Sequence, residues 1–270
     1  MPDWRRILPD ADHRWTMGLR PSDASEFFRP RDPSGDVLRE RARWLADEPH
    51  KYVVVNSEAA ECLRDSSALA RRLGFVVPQI AADDAAANAV ALGCTWECDF
   101  AWLLPSDDGP HRVVGGVVCF PSSWDLREKV GRPLSEVHAP VPGLNSSLGR
   151  QIDTFLAKLV PGSAWARENW SLSRDNERNQ HTSRPRCTFD GPLTLNDVWV
   201  RLEHQLLLRL PTSGGMLFGI RIELVSLSDV RRDEEAARRL SRAVATMTPE
   251  AAEYKIFAPS RERIVELLTD

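Results

Sequence analysis

The sequence predicts an α+β protein built on an antiparallel sheet, with flanking helices, an N-terminal helical arm and C-terminal helices. Strand-like runs come in neighbouring pairs, Trp96–Leu104 with Arg112–Phe120 and Val198–Leu210 with Met216–Leu227. Helical patterns fall between and around those pairs, without the regular βαβ alternation that builds a parallel sheet. Pro105-Ser106-Asp107-Asp108-Gly109-Pro110 separates the first pair and is a strong hairpin or loop signal.

Taken in order, residues 1–92 read as an arm and helices packing on the core, 93–230 as the core, and 231–270 as C-terminal helices. The first 50 or so residues are rich in Pro, Asp and Arg, with one short helix at Val37–Ala46. Val53-Val54-Val55 is too short to assign. Glu58–Leu73 places Ala59, Cys62, Leu63, Leu69, Ala70 and Leu73 on one helix face, and Gly74 stops it. Asp83–Leu92 is a weaker helix, opened by acidic residues suited to a helix N-terminus. Leu126–Val130 and Leu148–Leu159 carry helical patterns. Val198–Leu210 is ambiguous: Val198, Val200 and Leu202 alternate, whereas Leu206, Leu207, Leu208 and Leu210 also suit a helix. Met216–Leu227 is the clearest strand, with Ile220, Ile222 and Leu224 predicted on the buried face against Arg221 and Glu223. Asp233–Thr246 and Ser260–Leu268 complete the chain as helices. There are no internal repeats.

Composition narrows the class. A chain of 270 residues, 42% hydrophobic and 27% charged, is a soluble globular protein of one large domain or a domain with extensions. Its net charge of −4 leaves no basic excess to neutralise phosphates, which argues against a nucleic-acid partner. Only Lys51, Lys129, Lys158 and Lys255 among the 35 basic residues are lysines, an Arg bias that reads as genome composition. No apolar run approaches the roughly 20 residues of a membrane span, and the N-terminus lacks the apolar region of a secretory signal. A cytoplasmic location without membrane association is therefore expected. The five cysteines, Cys62, Cys94, Cys98, Cys119 and Cys187, are odd in number and scattered, as in a reducing compartment. Cys94 and Cys98 lack the second pair that a structural zinc site needs, and Cys119 reads as a small buried side chain. Dinucleotide-loop, P-loop, nucleophile-elbow, H-E-x-x-H and clustered-cysteine signatures are all missing.

The candidate residues each carry two readings. His138 precedes Ala139-Pro140-Val141-Pro142-Gly143, a backbone fixed at two prolines. A single imidazole on such a support suits an axial ligand to a metal or haem iron, and equally a loop histidine bonded to a carbonyl. Arg167, in Arg167-Glu168-Asn169-Trp170, has the planar fork that matches a carboxylate, such as a haem propionate, or faces solvent. Trp170 belongs to a core or to a cation site. Arg201, Glu203 and Gln205 alternate along a probable strand and share a face. That face either meets water or lines a pocket, where Glu203 holds a protonated amine and Arg201 pairs with it or with a propionate.

Val118–Leu144 with its Cys-Phe-Pro-Ser-Ser-Trp segment and His138, Arg167–Trp170, Arg201–Pro211 and the early Trp15-Thr16-Met17-Gly18-Leu19 together resemble the haem-dependent oxidative N-demethylase alpha-subunit family, over roughly residues 12–225. The resemblance implies a PAS-like domain that binds haem b, with His138 as the iron ligand. It implies Arg167 and Arg201 near the propionates, Trp124 and Trp170 against the cofactor, and Glu203 as the catalytic-site carboxylate. The implied reaction uses O₂ to remove a methyl group, as formaldehyde, from a small secondary amine such as dimethylamine. Electrons come from NADPH through separate reductase subunits carrying flavin and iron–sulfur centres. Two positions depart from the family pattern. His204 stands where Arg is more usual, and Glu97-Cys98-Asp99 replaces Gln-Glu-Asp, leaving Asp99 a weaker site candidate than Glu203. A haem-binding PAS-type gas sensor and a haem-free ligand-binding protein on the same scaffold stay open as alternatives.

Overall fold

A computed structural model describes residues 2–78, 84–106, 109–185 and 187–269. Among these, seven strands form one antiparallel sheet: β1 (Arg20–Ser22), β2 (Val53–Val55), β3 (Asp99–Ser106), β4 (Gly109–Val117), β5 (Ala164–Ser173), β6 (Trp199–Arg209) and β7 (Met216–Ser226). Their order across the sheet is β1-β5-β6-β7-β3-β4-β2. The α+β class and the antiparallel sheet predicted from sequence are thus present. The two paired strand groups meet in the middle, where β7 lies against β3.

Two findings depart from the sequence reading. The amino-terminal segment is woven into the sheet, with β1 pairing with β5 and the unassigned valine triplet pairing with β4 as β2. Second, β5 gave no strand signal at all. Both faces of the sheet are covered, so its inward positions alternate between Ala166, Trp170 and Leu172 on one side and Trp165, Arg167 and Asn169 on the other. An apolar/polar period of two marks only a sheet with one wet face.

The even-numbered positions of β6 show how one face divides. Leu206 and Leu208 join Phe28, Trp96, Phe100 and Trp102 in a core with residues of the helices Ala60–Arg72 and Ala85–Gly93. Val200 and Leu202 join Trp170 and Leu172 in a second core with the C-terminal helices, including Glu234–Thr246. On the opposite face Leu207, Trp165, Met216 and Phe218 pack with Leu156 of the helix Arg150–Lys158. At Gly219 a Cβ would stand 2.7 Å from the Phe27 ring, so only glycine lets the Ala24–Phe28 helix seat on β7.

Met216–Ser226 is a strand as predicted, but its faces differ from expectation. Ile220 is buried while Ile222 and Leu224 are half-buried, and Arg221 on the other face is itself buried. Arg221 is tolerated there because it pairs with Glu97 and donates to the carbonyls of Phe27 (2.6 Å) and Arg29 (3.2 Å). A buried charge with all its partners in place escapes the cost of desolvation without compensation.

The predicted helices form with shifted ends: Asp36–Asp47, Ala60–Arg72, Ala85–Gly93, Arg150–Lys158, Glu234–Thr246 and Arg261–Thr269. Asp83, where one was expected to start, lies outside the described residues, and Asp84 caps that helix by accepting from the Ala87 amide. Leu126–Glu128 is a single 3₁₀ turn.

Asp99 is structural. Its carboxylate is buried, pairs with the fully buried Arg41 of the helix Asp36–Asp47, and accepts from the amides of Cys119 (2.7 Å) and Phe120 (2.8 Å). Arg41 also donates from Nε to the Gly93 carbonyl at 3.0 Å. One ion pair therefore joins a helix, the start of β3 and the segment leaving β4. Arg41→Met leaves the Asp99 charge buried without its counter-ion and should cost about 3–5 kcal/mol in urea unfolding. A loss below about 1 kcal/mol would show that the pair does not hold these elements together.

Candidate functional site

The three central strands present a polar patch on the face opposite Trp170. In successive ladders, Ser171, Arg201 and Leu224 stand side by side, then Asn169, Glu203 and Ile222, then Arg167, Gln205 and Ile220. The face is polar along β5 and β6 and apolar along β7. Its residues are mostly half-buried.

Glu203 is held by three donors: Ser122 Oγ at 2.6 Å, Gln205 Nε2 at 2.8 Å and Asn169 Nδ2 at 3.1 Å. The Ser122 hydroxyl in turn accepts from Arg201 Nε at 2.8 Å, which directs its single proton toward Glu203. Arg201 is fully buried and takes no ligand-facing position. Its remaining nitrogens donate to the carbonyls of Phe120 (2.8 Å), Arg178 (2.9 Å) and Glu177 (3.3 Å). Burial lowers its pKa to about 10, so it stays cationic at neutral pH. The expectation that Arg201 offers its fork to a cofactor is thereby corrected: the guanidinium is taken up in anchoring two loops and positioning Ser122. Ser123, next along, adopts the left-handed conformation with φ 63°, a strained state found often at functional sites.

Arg167 has a different environment. Its Nε is buried and has no hydrogen-bond partner. Burial lowers its pKa against the opposing pull of Glu203 and Glu168. His138 ends the short helix Leu134–His138, and the chain reverses at once through a bond from the Val141 amide to the His138 carbonyl (2.9 Å). Trp15 Nε1 clamps that loop by donating to the Pro142 carbonyl at 2.7 Å. The imidazole is half-buried, and no hydrogen bond to its ring occurs among the described residues. Burial, then the charge of Arg167, push its pKa down, which keeps the ring neutral with a free lone pair. Trp124 is half-buried on the same side, packed against the cluster that also takes in Val137 and Leu134.

Trp170 falls elsewhere. It is buried in the core beneath the C-terminal helices, on the face away from Glu203. Its carbonyl accepts from Lys255 Nζ at 2.6 Å, and the ammonium lies 5.3 Å from the Trp170 ring centre and 5.6 Å from that of Trp15. Burial lowers the Lys255 pKa to about 8, with Glu203 opposing. Lys255 and the strained Ile256 beside it (φ 66°) escaped the sequence reading. The one available signal was that Lys255 is a rare lysine in an arginine-rich chain. Gln205 was predicted on the face of Glu203, whereas Ser122 was visible only as a neighbour of Trp124.

His204 points to the opposite face, between Glu223 (2.9 Å) and Glu168 (4.0 Å), the latter also bonded to Arg20. Burial acts to lower its pKa, but the bonds and charges of Glu168 and Glu223 outweigh that and raise it. The two carboxylates favour the protonated form of this histidine.

Arg167 and Glu203 thus share one half-buried sheet face of an α+β protein, and the unbonded imidazole of His138 is near enough for the Arg167 charge to act on it. The model of the family "haem-dependent oxidative N-demethylase, alpha subunit-like" matches residues 75–265, and the chain belongs to that family. Among the described residues, no helix is long and apolar enough to cross a membrane.

The raised His204 pKa has a signed consequence. Its contribution to stability is complete below the unfolded value of 6.5 and is lost as pH rises through the raised folded value. Glu168, lowered from 4.5 to about 2, contributes above about 4.5 and fails as pH falls toward 2. Urea midpoints measured from pH 5 to 9 should decline on the alkaline side in the wild type and decline less in His204→Gln. Parallel profiles would exclude His204 as the titrating group.

Proposed function

We propose that this chain is the haem-binding oxygenase subunit of an oxidative N-demethylase. It acts on a small secondary amine such as dimethylamine and receives electrons from NADPH through separate reductase subunits that carry flavin and iron–sulfur centres. The observation that carries this reading is the pairing of an unbonded His138 with an unbonded Arg167 Nε on the side of the sheet where Glu203 stands, in a member of this family.

The residues fit haem b. His138 is neutral and free to ligate iron. Arg167 has a buried N–H suited to a propionate oxygen. Trp124 is an aromatic neighbour for the porphyrin on the same side. Trp170 and Arg201 leave that list. The haem-binding unit is centred on the segment 93–230, with β1 and β2 of 1–92 adding the two edges of its sheet and 231–270 packed on it. Its five long strands, with β7 lying between β6 and β3, support a PAS-like sheet.

Haem bound there would supply O₂ activation and oxidation of the N-methyl group. The protein's own part is recognition and placement. The Glu203 carboxylate accepts N–H bonds from the protonated amine, offsetting the cost of removing an ammonium from water. Ser122, Asn169 and Gln205 keep it from swinging away, which fixes where the methyl groups stand. Ile220, Ile222 and Leu224 surround those methyls with apolar surface and exclude water. An anchored anion serves a cationic substrate and has no task in a diatomic gas sensor, so Glu203 favours the enzyme.

Two substitutions test the assignment. His138→Ala should abolish the Soret band of the reconstituted protein while its circular dichroism stays unchanged; a retained band would refute the ligand. Glu203→Gln keeps the shape and removes the charge, at a cost of about 1.5–3 kcal/mol or roughly 10- to 150-fold in amine affinity. Titrating dimethylamine against the haem spectrum reads this directly. Equal dissociation constants with equal haem content would rule out Glu203 as the amine anchor.

A further inference from the structure

A cavity of about 380 Å³ lies between the β3–β4 hairpin, the end of β6 and the helix Arg150–Lys158. Its lining includes Pro105, Pro110, His111, Asp153, Ala157 and Arg209. None of these takes part in the Glu203 network.

Two buried polar atoms in this lining have no hydrogen-bond partner: His111 Nε2 and Arg209 Nε. His111 is only 5% exposed. Folded proteins pair nearly all such groups, so two orphans lining one cavity point to a ligand that completes them. Among the described residues no carboxylate pairs with the Arg209 guanidinium. Its backbone is fixed by bonds from its amide to the Ser163 carbonyl (3.1 Å) and from the Gly162 amide to its own carbonyl (2.8 Å). The donor is therefore anchored at its base, and its Nε has no partner. Pro105 and Pro110 contribute no amide N–H to the lining.

The charges select the ligand. The edge of a guanidinium presents two parallel N–H groups that match a carboxylate. His111 is held neutral by burial and by Arg209, with Asp153 opposing, so it offers a hydrogen bond without a second full charge. Asp153 lines the same cavity. It would repel a simple anion but would attract a ligand that carries a cation beside its carboxylate. The volume falls within the usual range for small-molecule sites.

We propose that this cavity binds a zwitterionic α-amino acid, its carboxylate on Arg209 and His111 and its ammonium on Asp153. Its donors are separate from the Glu203 network, and the charge of Asp153 also reaches His138. Calorimetric titration of the full-length protein with glycine, acetate and glycinamide tests it. Glycine should bind saturably, acetate more weakly, and glycinamide without sensitivity to Arg209. Arg209→Gln should weaken glycine binding at least about tenfold, since a charge-assisted fork is lost. Asp153→Asn should narrow the gap between glycine and acetate. If Arg209→Gln fails to fold, Arg209→Lys removes the fork and keeps the charge. No saturable glycine binding, or glycine binding equal in the wild type and the Arg209 variant, would overturn the proposal. The second result would place the amino acid elsewhere, including at Glu203. Acetate binding as tightly as glycine would also overturn it, leaving only an anion site.

Discussion

The buried Asp99 carboxylate is the constraint from which the rest of the site follows. It neutralises Arg41 and caps the amides of Cys119 and Phe120, which sets the path of the chain as it leaves β4. Because Phe120 is thus placed, its carbonyl is available to Arg201, and Arg201 can reach Ser122 and the carbonyls of Glu177 and Arg178. Ser122 then presents its proton to Glu203. A continuous polar path runs from a helix on one face, through the sheet, to the carboxylate on the other. Networks of this kind specify one arrangement because a partly satisfied version is costly in a low-dielectric interior.

The polar patch exists because the sheet is covered unevenly. On one side two apolar cores meet at His204, where two carboxylates and Arg20 take the place of hydrophobic contact. On the other side packing by the helix Arg150–Lys158 reaches Leu207 and Phe218 and leaves Glu203, Gln205 and Arg167 half-buried. The loop after His138 is clamped by Trp15. Ser123 and Ile256, the two non-glycine residues with positive φ among the described residues, follow directly on Ser122 and Lys255. Each adjoins a side chain with several fixed partners, Ser122 in the Glu203 network and Lys255 against Trp15 and Trp170, as expected where the surroundings over-determine a strained backbone.

Local patterns made much of this legible. Gly74 after an amphipathic run, acidic residues at helix starts and the alternation in Met216–Ser226 each reflect forces that act within a few residues, so they can be read along the chain. The same logic placed Glu203 and Gln205 on one face and isolated His138 on its proline-braced loop. It failed at β5, where burial on both faces erases the period, and at Arg221, whose charge suggested solvent but is matched by Glu97.

By itself the sequence determined the α+β class, the antiparallel sheet and the alternation that sets Arg201, Glu203 and Gln205 on one face. Tertiary structure alone decided which side chains come together. Trp170 is adjacent in sequence to Asn169 yet belongs to another core, since neighbouring strand residues point to opposite faces. Arg201 lies on the face of Glu203 yet serves the loops, because carbonyls separated from it by 23 to 81 positions converge on its fork. Lys255 reaches Trp15 and Trp170 from the far end of the chain. Partnership of this kind depends on long-range placement, which no local period encodes.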